Sequence, residues 1–250
     1  MSLAQHIVIR FADSRPLFVV LEERLRFSRT VARIGTEFGL IGWGAGDNHA
    51  HAGIHQSRER ALELARRLEC SLTKQLQLGL GFGGALTSDV RDQPHLRHSI
   101  PYMIRQGERH GVDDPFHEGS SLPDALGWRL LTPDLPSLLA EVAPRVRLAD
   151  MAPPLGEAPP PAAAAAWVEA GIAARGLGHL RGRDRLTLEV RRAVVALASQ
   201  ATSRELAEAL GCSPKTVVRL RREPPEDQRV VTAVIAQARW RRLAAAVDAA

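Results

Sequence analysis

Lysine is almost missing from this chain. Of 33 lysine and arginine residues, only Lys74 and Lys215 are lysines. A GC-rich coding bias accounts for the deficit but not for the formal net charge of +5 and the pI near 10.1. Arginine therefore carries the positive charge, as a group that is always ionised and bonds phosphate through two donors at once, and a polyanionic partner is expected. Cysteine is equally scarce. Cys70 and Cys212 stand far apart with no CxxC pattern, which excludes a disulfide scaffold and points to the reducing cytoplasm. No apolar run approaches the roughly 18 residues needed to cross a bilayer. The opening stretch, MSLAQHIVIRFADSR, lacks signal-peptide architecture. A soluble, cytoplasmic protein without a membrane partner is expected. Aromatic residues make up only 4%, and Tyr102 is the one tyrosine in 250 residues.

With 45% apolar residues, the chain can build one large domain, or a medium domain and a small one. A composition break favours the second arrangement. Residues 151–166, MAPPLGEAPPPAAAAA, place five prolines in a nearly uncharged stretch that cannot continue a helix or fill a central strand. This reads as a linker between an N-terminal unit, 1–150, and a helical unit, 167–250.

In the first unit, HIVIRF alternates as a strand, and LFVVLEERLRFSRTVARIGTEFG carries apolar residues at helical spacing. LIGWGAGDNHAHAGIH reads as a strand pair, with its glycines and Gly-Asp supplying the turn. SRERALELARRLECSLTKQLQL is a long amphipathic helix opening at Ser57. GLGFGGALTSDVRDQ reads as a loop with a short strand, and a helical pattern opens at Tyr102. The order strand, helix, two strands, helix, strand, helix is that of a ferredoxin-like α+β domain: an open antiparallel sheet with helices on one face. A small all-helical domain follows.

That second domain contains one sharply patterned segment, TSRELAEALGCSPKTVVRLRR, residues 202–222. Thr202 with Glu205 forms a capping box, Gly211 breaks the helix, and Ser213 caps a second helix with Pro214 in its first turn. Small Ala207, the Gly211 turn and Val217 have helix-turn-helix spacing, although ordinary helical hairpins share the pattern. Ser213, Lys215, Thr216, Arg219 and Arg222, with Arg221, lie on or near the recognition helix, suited to phosphates and guanine edges.

Three histidines crowd GDNHAHAGIH. On a strand, His49 and His51 project from the same face while Ala50 turns away. Two imidazoles can hold a divalent ion, but two ligands make no complete site. His55 falls at even spacing and reads as a bystander, and His95, His98, His110 and His117 are too scattered to assign. Gln106 follows Tyr102 by one helical turn. If that helix crosses the open sheet face, Tyr102 and Gln106 come over His49 and His51, giving two imidazoles, an amide oxygen and a phenol. That set suits phosphodiester chemistry: a cation polarises the phosphate, and a tyrosine oxygen attacks phosphorus to form a covalent intermediate.

The segment Asp47-Asn48-His49-Ala50-His51, with Tyr102 fifty-one positions after His51 and Gln106 one turn further on, resembles the REP-associated tyrosine transposases of the single-tyrosine HUH family. DPFHEGSSLPDALGW is similar to that family's tail, where a Ser-Ser pair follows the tyrosine helix. The resemblance spans roughly residues 5–130. It implies His49, His51 and Gln106 as metal ligands and Tyr102 as nucleophile. It also implies Mg²⁺ or Mn²⁺ as the ion, a hairpin-forming single-stranded DNA substrate and a 5′-phosphotyrosine intermediate. Ala50 is smaller than the family's usual residue, the Asn-Pro pair after the tyrosine is absent, and GWGAGD replaces its Met-Pro-Asn lead-in. A non-catalytic DNA-binding regulator, monomer or homodimer, is the competing expectation, and a small-molecule hydrolase with a zinc site is the third.

Overall fold

The computed structural model describes residues 2–13, 16–112, 114, 116–152, 154–156, 161 and 163–248. Of the proline-rich 151–166 stretch, which the sequence marks as a linker, residues 153, 157–160 and 162 lie outside the described residues, and a helix already begins at Ala164. The chain folds as two units. Unit 1 holds residues 1–126 and 131–152, and unit 2 holds 127–130 and 153–250.

Unit 1 follows the order β1 (Ala4–Phe11), α1 (Leu21–Gly35), β2 (Leu40–Ala45), β3 (His49–Ile54), α2 (Arg58–Gln75), β4 (Phe82–Val90), α3 (Gln93–Ile104), α4 (Gln106–Arg109), α5 (Leu122–Ala125) and α6 (Leu135–Val142). The sheet runs β2-β3-β1-β4, every neighbouring pair antiparallel. This is the ferredoxin-like α+β arrangement. Strand parity sorts its two faces. Ile7 and Ile9 pair across with Ala52 and Ala50, and these four are buried along with Phe27 and Val31 of α1 and Leu64, Leu68 and Leu72 of α2. Full burial of each Ile, Val, Leu or Phe among them contributes about 1.5–3 kcal/mol.

The opposite face carries His6, Val8 and Arg10 from β1 and His49, His51 and Gly53 from β3. Helix α3 packs across its β2–β3 half, and the glycines of GWGAG explain how. Trp43 points to the α1 side, where its indole N–H donates to the Ser28 hydroxyl at 2.9 Å. Gly44 therefore faces α3, and a Cβ there would sit 1.9 Å from the Met103 carbonyl oxygen. The sequence pattern assigns these glycines to the turn. Gly42 and Gly44 belong instead to the strand, where Gly44 lets a helix backbone touch the sheet, while Gly46 does lie in the turn, Gly46–Asn48.

The Ser-Ser pair locks the same contact. The Ser121 hydroxyl accepts from the Trp43 N–H at 2.8 Å, and the Ser120 hydroxyl donates to the Ile104 carbonyl at 3.0 Å, at the end of α3. The fourth strand is longer than the glycine-rich sequence suggests. It is a nine-residue strand pairing with β1, an edge position where Gly83 and Gly84 need to satisfy only one neighbour.

Unit 2 is helical: α7 (Ala164–Arg175), α8 (Arg185–Leu197), α9 (Ser203–Leu210), α10 (Pro214–Arg222) and α11 (Gln228–Asp248). Trp167, Val190, Val194, Leu206, Val217, Leu220, Val230 and Val234 form its buried core. The α9–α10 connection is built locally. Thr202 and Glu205 make the expected capping box. Gly211 takes φ 61°, and the two C-terminal bonds, Gly211 N–H to Glu208 and Cys212 N–H to Ala207, close a Schellman motif. Ala207 and Val217 are both buried.

Candidate metal centre and tyrosine

The β2–β3 turn is pinned before any ligand is considered. The Leu17 and Phe18 N–H groups both donate to the Asp47 carbonyl, at 2.6 and 2.9 Å, and the Phe11 N–H donates to that of Asn48. This fixes Asp47 just ahead of His49. The Asp47 carboxylate lies 3.1 Å from His110 Nδ1 and 4.0 Å from His49 Nδ1. The potential ligand atoms of Asp47, His49 and His110 all fall within 4.8 Å of one another. Burial pushes the Asp47 carboxyl upward, but the Asn48 N–H and the neighbouring His110 hold it below the usual carboxylate range. It is ionised, as a ligand must be.

The sequence-derived set of His49, His51, Gln106 and Tyr102 gathers around this group. His49 and His51 project from one face with ring centroids 5.0 Å apart. Burial, then His110, lowers the His49 pKa, while a hydrogen bond with the Gln106 side chain works the other way. Gln106 is buried, and its amide N–H also donates to the Tyr102 carbonyl at 2.6 Å. That bond ties the amide to the end of the tyrosine helix.

His51 has a different setting. It is 3% exposed, its Nδ1 is hydrogen-bonded to His6 Nε2 at 2.8 Å, and the two rings stack. Burial, reinforced by the His6 neighbour, drives its pKa down to about 3, and burial takes His6 to about 4. Both imidazoles are therefore neutral near pH 7. The other nitrogen, His51 Nε2, is buried without a hydrogen-bond partner. An orphaned neutral imidazole nitrogen fits a metal ligand, since leaving such an atom dry and unpaired costs about 1–3 kcal/mol.

Tyr102 lies in the last turn of α3, not the first as its sequence pattern suggests. The helix starts nine residues earlier at Gln93, where the Asp92 carboxylate caps the His95 N–H at 2.8 Å. It continues through Pro101 and ends at Ile104. The Tyr102 ring stands edge-on to His51 at 5.3 Å and to His6 at 6.0 Å, and the residue is 38% exposed. The Arg109 guanidinium sits 4.5 Å from its ring centroid. Asp47, His110, His6 and Arg109 join the site without having stood out in the sequence. One signal was available: Tyr102, Gln106 and His110 recur every four residues, and Asp47 stands two before His49.

Other histidines lie elsewhere. His55 Nδ1 bonds the Leu3 carbonyl, and His117 Nδ1 accepts from the Gly119 N–H. In unit 2, Lys215, Arg219 and Arg222 are exposed on α10. The Ser213 hydroxyl caps that helix, accepting from the Thr216 N–H at 3.2 Å and meeting the Thr216 hydroxyl at 3.0 Å. Arg221 turns back to donate to the Ala201 carbonyl.

An α+β sheet domain with a His/Asp group able to hold a metal ion, joined in one chain to a helical unit, is what the fold and geometry define. No family model and no curated protein matches the chain. Among solved structures, one described as a REP-associated tyrosine transposase bound to a REP hairpin aligns with a TM-score of 0.35 and 14% identity. The match covers 45% of this chain and 71% of that one. A likeness of that size assigns neither activity nor substrate. No helix among the described residues is long and apolar enough to cross a membrane.

Proposed function

We propose that unit 1 cleaves and rejoins single-stranded, hairpin-forming DNA, with Tyr102 as nucleophile. The observation that carries this reading is the placement of a part-exposed phenol edge-on to His51, beside the Asp47–His49–His110 group. The Tyr102 oxygen attacks phosphorus, the phenolic proton leaves to solvent, the P–O3′ bond breaks, and the departing O3′ takes up a proton from water. The products are a 5′-phosphotyrosine and a free 3′-hydroxyl. Attack by a 3′-hydroxyl on the phosphotyrosine reverses the step and rejoins the strand.

His49, His51 and Gln106, with Asp47 and His110 alongside, are the residues that would hold a divalent ion, and a bound ion polarises the phosphate. Mixed imidazole and oxygen donors suit Mn²⁺ better than Mg²⁺. Arg109 beside the phenol, and exposed Arg10, which pairs with His49 across the sheet, supply cations for the flanking phosphates. Exposed Leu86 on the uncovered β1–β4 half offers apolar surface to an unstacked base. In unit 2, Ser213, Lys215, Thr216, Arg219 and Arg222 add DNA affinity.

Cleavage of a hairpin-forming single strand tests this. The full chain with Mn²⁺ should yield a 3′-hydroxyl product, and EDTA or His49→Ala should abolish it. Cleavage that survives EDTA would reject the metal assignment. No cleavage of any hairpin substrate would favour a DNA-binding regulator without chemistry.

A further inference from the structure

Helix α10 sorts its residues sharply by face. Val217 and Leu220 are 0% and 1% exposed and belong to the core. Lys215, Val218, Arg219 and Arg222, at helical spacing of three and four, share the outward side. Arg221 is drawn away from that side by its bond to the Ala201 carbonyl. The result is a cationic stripe with one uncharged interruption, Val218, which is 42% exposed in the middle of it.

We propose that unit 2 reads sequence in duplex DNA through the major groove, with Val218 meeting a thymine methyl group while Arg219 and Arg222 hold phosphates. This rests on the reading of unit 2 as a DNA-binding module. Three arguments fix the partner. Three cations on one short helix call for a polyanion. Of the nucleic-acid grooves, the B-DNA major groove admits an α-helix, whereas the A-form RNA major groove is too deep and narrow. Within that groove the thymine C5-methyl is the apolar feature that an exposed valine can recognise, and it marks one base pair among the four. Val218 is the fifth of the nine residues of α10, one turn nearer than Arg222 to the N-terminal part of a recognition helix that reaches base edges. The further-C-terminal Arg222 is placed for the backbone.

The test uses the full chain in EDTA, a randomised duplex DNA library, and the selected duplex remade with deoxyuridine in place of each thymine in turn. Deoxyuridine lacks only the methyl group. The wild-type protein should enrich a defined motif and lose about fourfold in affinity when one particular thymine is replaced, the loss expected for one buried carbon. Val218→Ala should bind the thymine and deoxyuridine duplexes alike. A wild-type protein indifferent to every methyl, or a Val218→Ala protein that keeps the discrimination, overturns the proposal. So does a wild-type protein that enriches no motif from the duplex library. The parent reading fails separately: the combined Lys215→Ala, Arg219→Ala and Arg222→Ala variant should lose binding to all duplexes, and if it does not, unit 2 is not the DNA module.

Discussion

The two units build their candidate surfaces by opposite routes. In unit 1, the groups around Tyr102 come from β1, the β2–β3 turn, β3 and the segment 102–110, so no local stretch contains the site. In unit 2, the candidate surface is nine residues of α10, presented by a turn whose capping hydrogen bonds are local. A site assembled over a distance depends on packing between elements. A site written on one helix depends on its caps. Perturbing each dependency separately should affect one unit and spare the other.

The largest effect is expected where two elements touch most closely. Gly44→Ala drives a methyl group into the Met103 carbonyl and should cost unit 1 about 3 kcal/mol, the upper end for an overpacked position. It should also displace the helix that carries Tyr102. Hydrogen exchange would show amides of the sheet losing protection while those of α7–α11 do not. Equal loss in both units would mean that they unfold as one body.

Metal binding comes next. Mn²⁺ at a hundredfold excess over its dissociation constant should stabilise unit 1 by about 2.7 kcal/mol, read as a rise in melting temperature. His49→Ala should erase that rise, because His49 belongs to both the His/Asp group and the strand pair. A rise undiminished in the variant would place the ion elsewhere.

The smallest effect belongs to the local turn. Gly211→Ala puts a Cβ on a left-handed residue and should cost unit 2 about 1–2 kcal/mol, with the Tyr102 neighbourhood unaffected. Urea denaturation of the variant against wild type measures it. An unchanged midpoint would contradict the Schellman turn.

The same contrast decides what can be read from the chain. The α9–α10 turn is fully legible, because Thr202, Glu205, Gly211 and Ser213 act on atoms a few residues away. Strands β1 and β3 and helix α2 are legible from their periodicity. In the sequence β4 looks short and the β2 glycines look like a turn. Their meaning is tertiary: Gly44 is required by a helix some sixty residues later, which no local pattern reports. For the same reason the pattern puts Tyr102 at the wrong end of its helix. The Asp92 cap and Pro94 are ordinary start signals, but Pro101 masks the continuity of α3. His49 and His51 are legible as a face, and Tyr102 with Gln106 as a turn. Asp47, His110 and His6 are not: Asp47 and His110 meet only when the β2–β3 turn and the residue after α4 come together, and His6 meets His51 only once β1 and β3 pair.

The central claim is that the Tyr102 oxygen bonds to DNA. The direct measurement incubates wild type and Tyr102→Phe with labelled hairpin-forming single-stranded DNA and Mn²⁺, denatures, and looks for label travelling with the protein. Phenylalanine keeps the ring against His51 and removes only the attacking oxygen. The account predicts a covalent adduct for wild type, mapping to Tyr102 as a 5′-phosphotyrosine, and none for the variant while DNA binding persists. An adduct formed equally by Tyr102→Phe would contradict it.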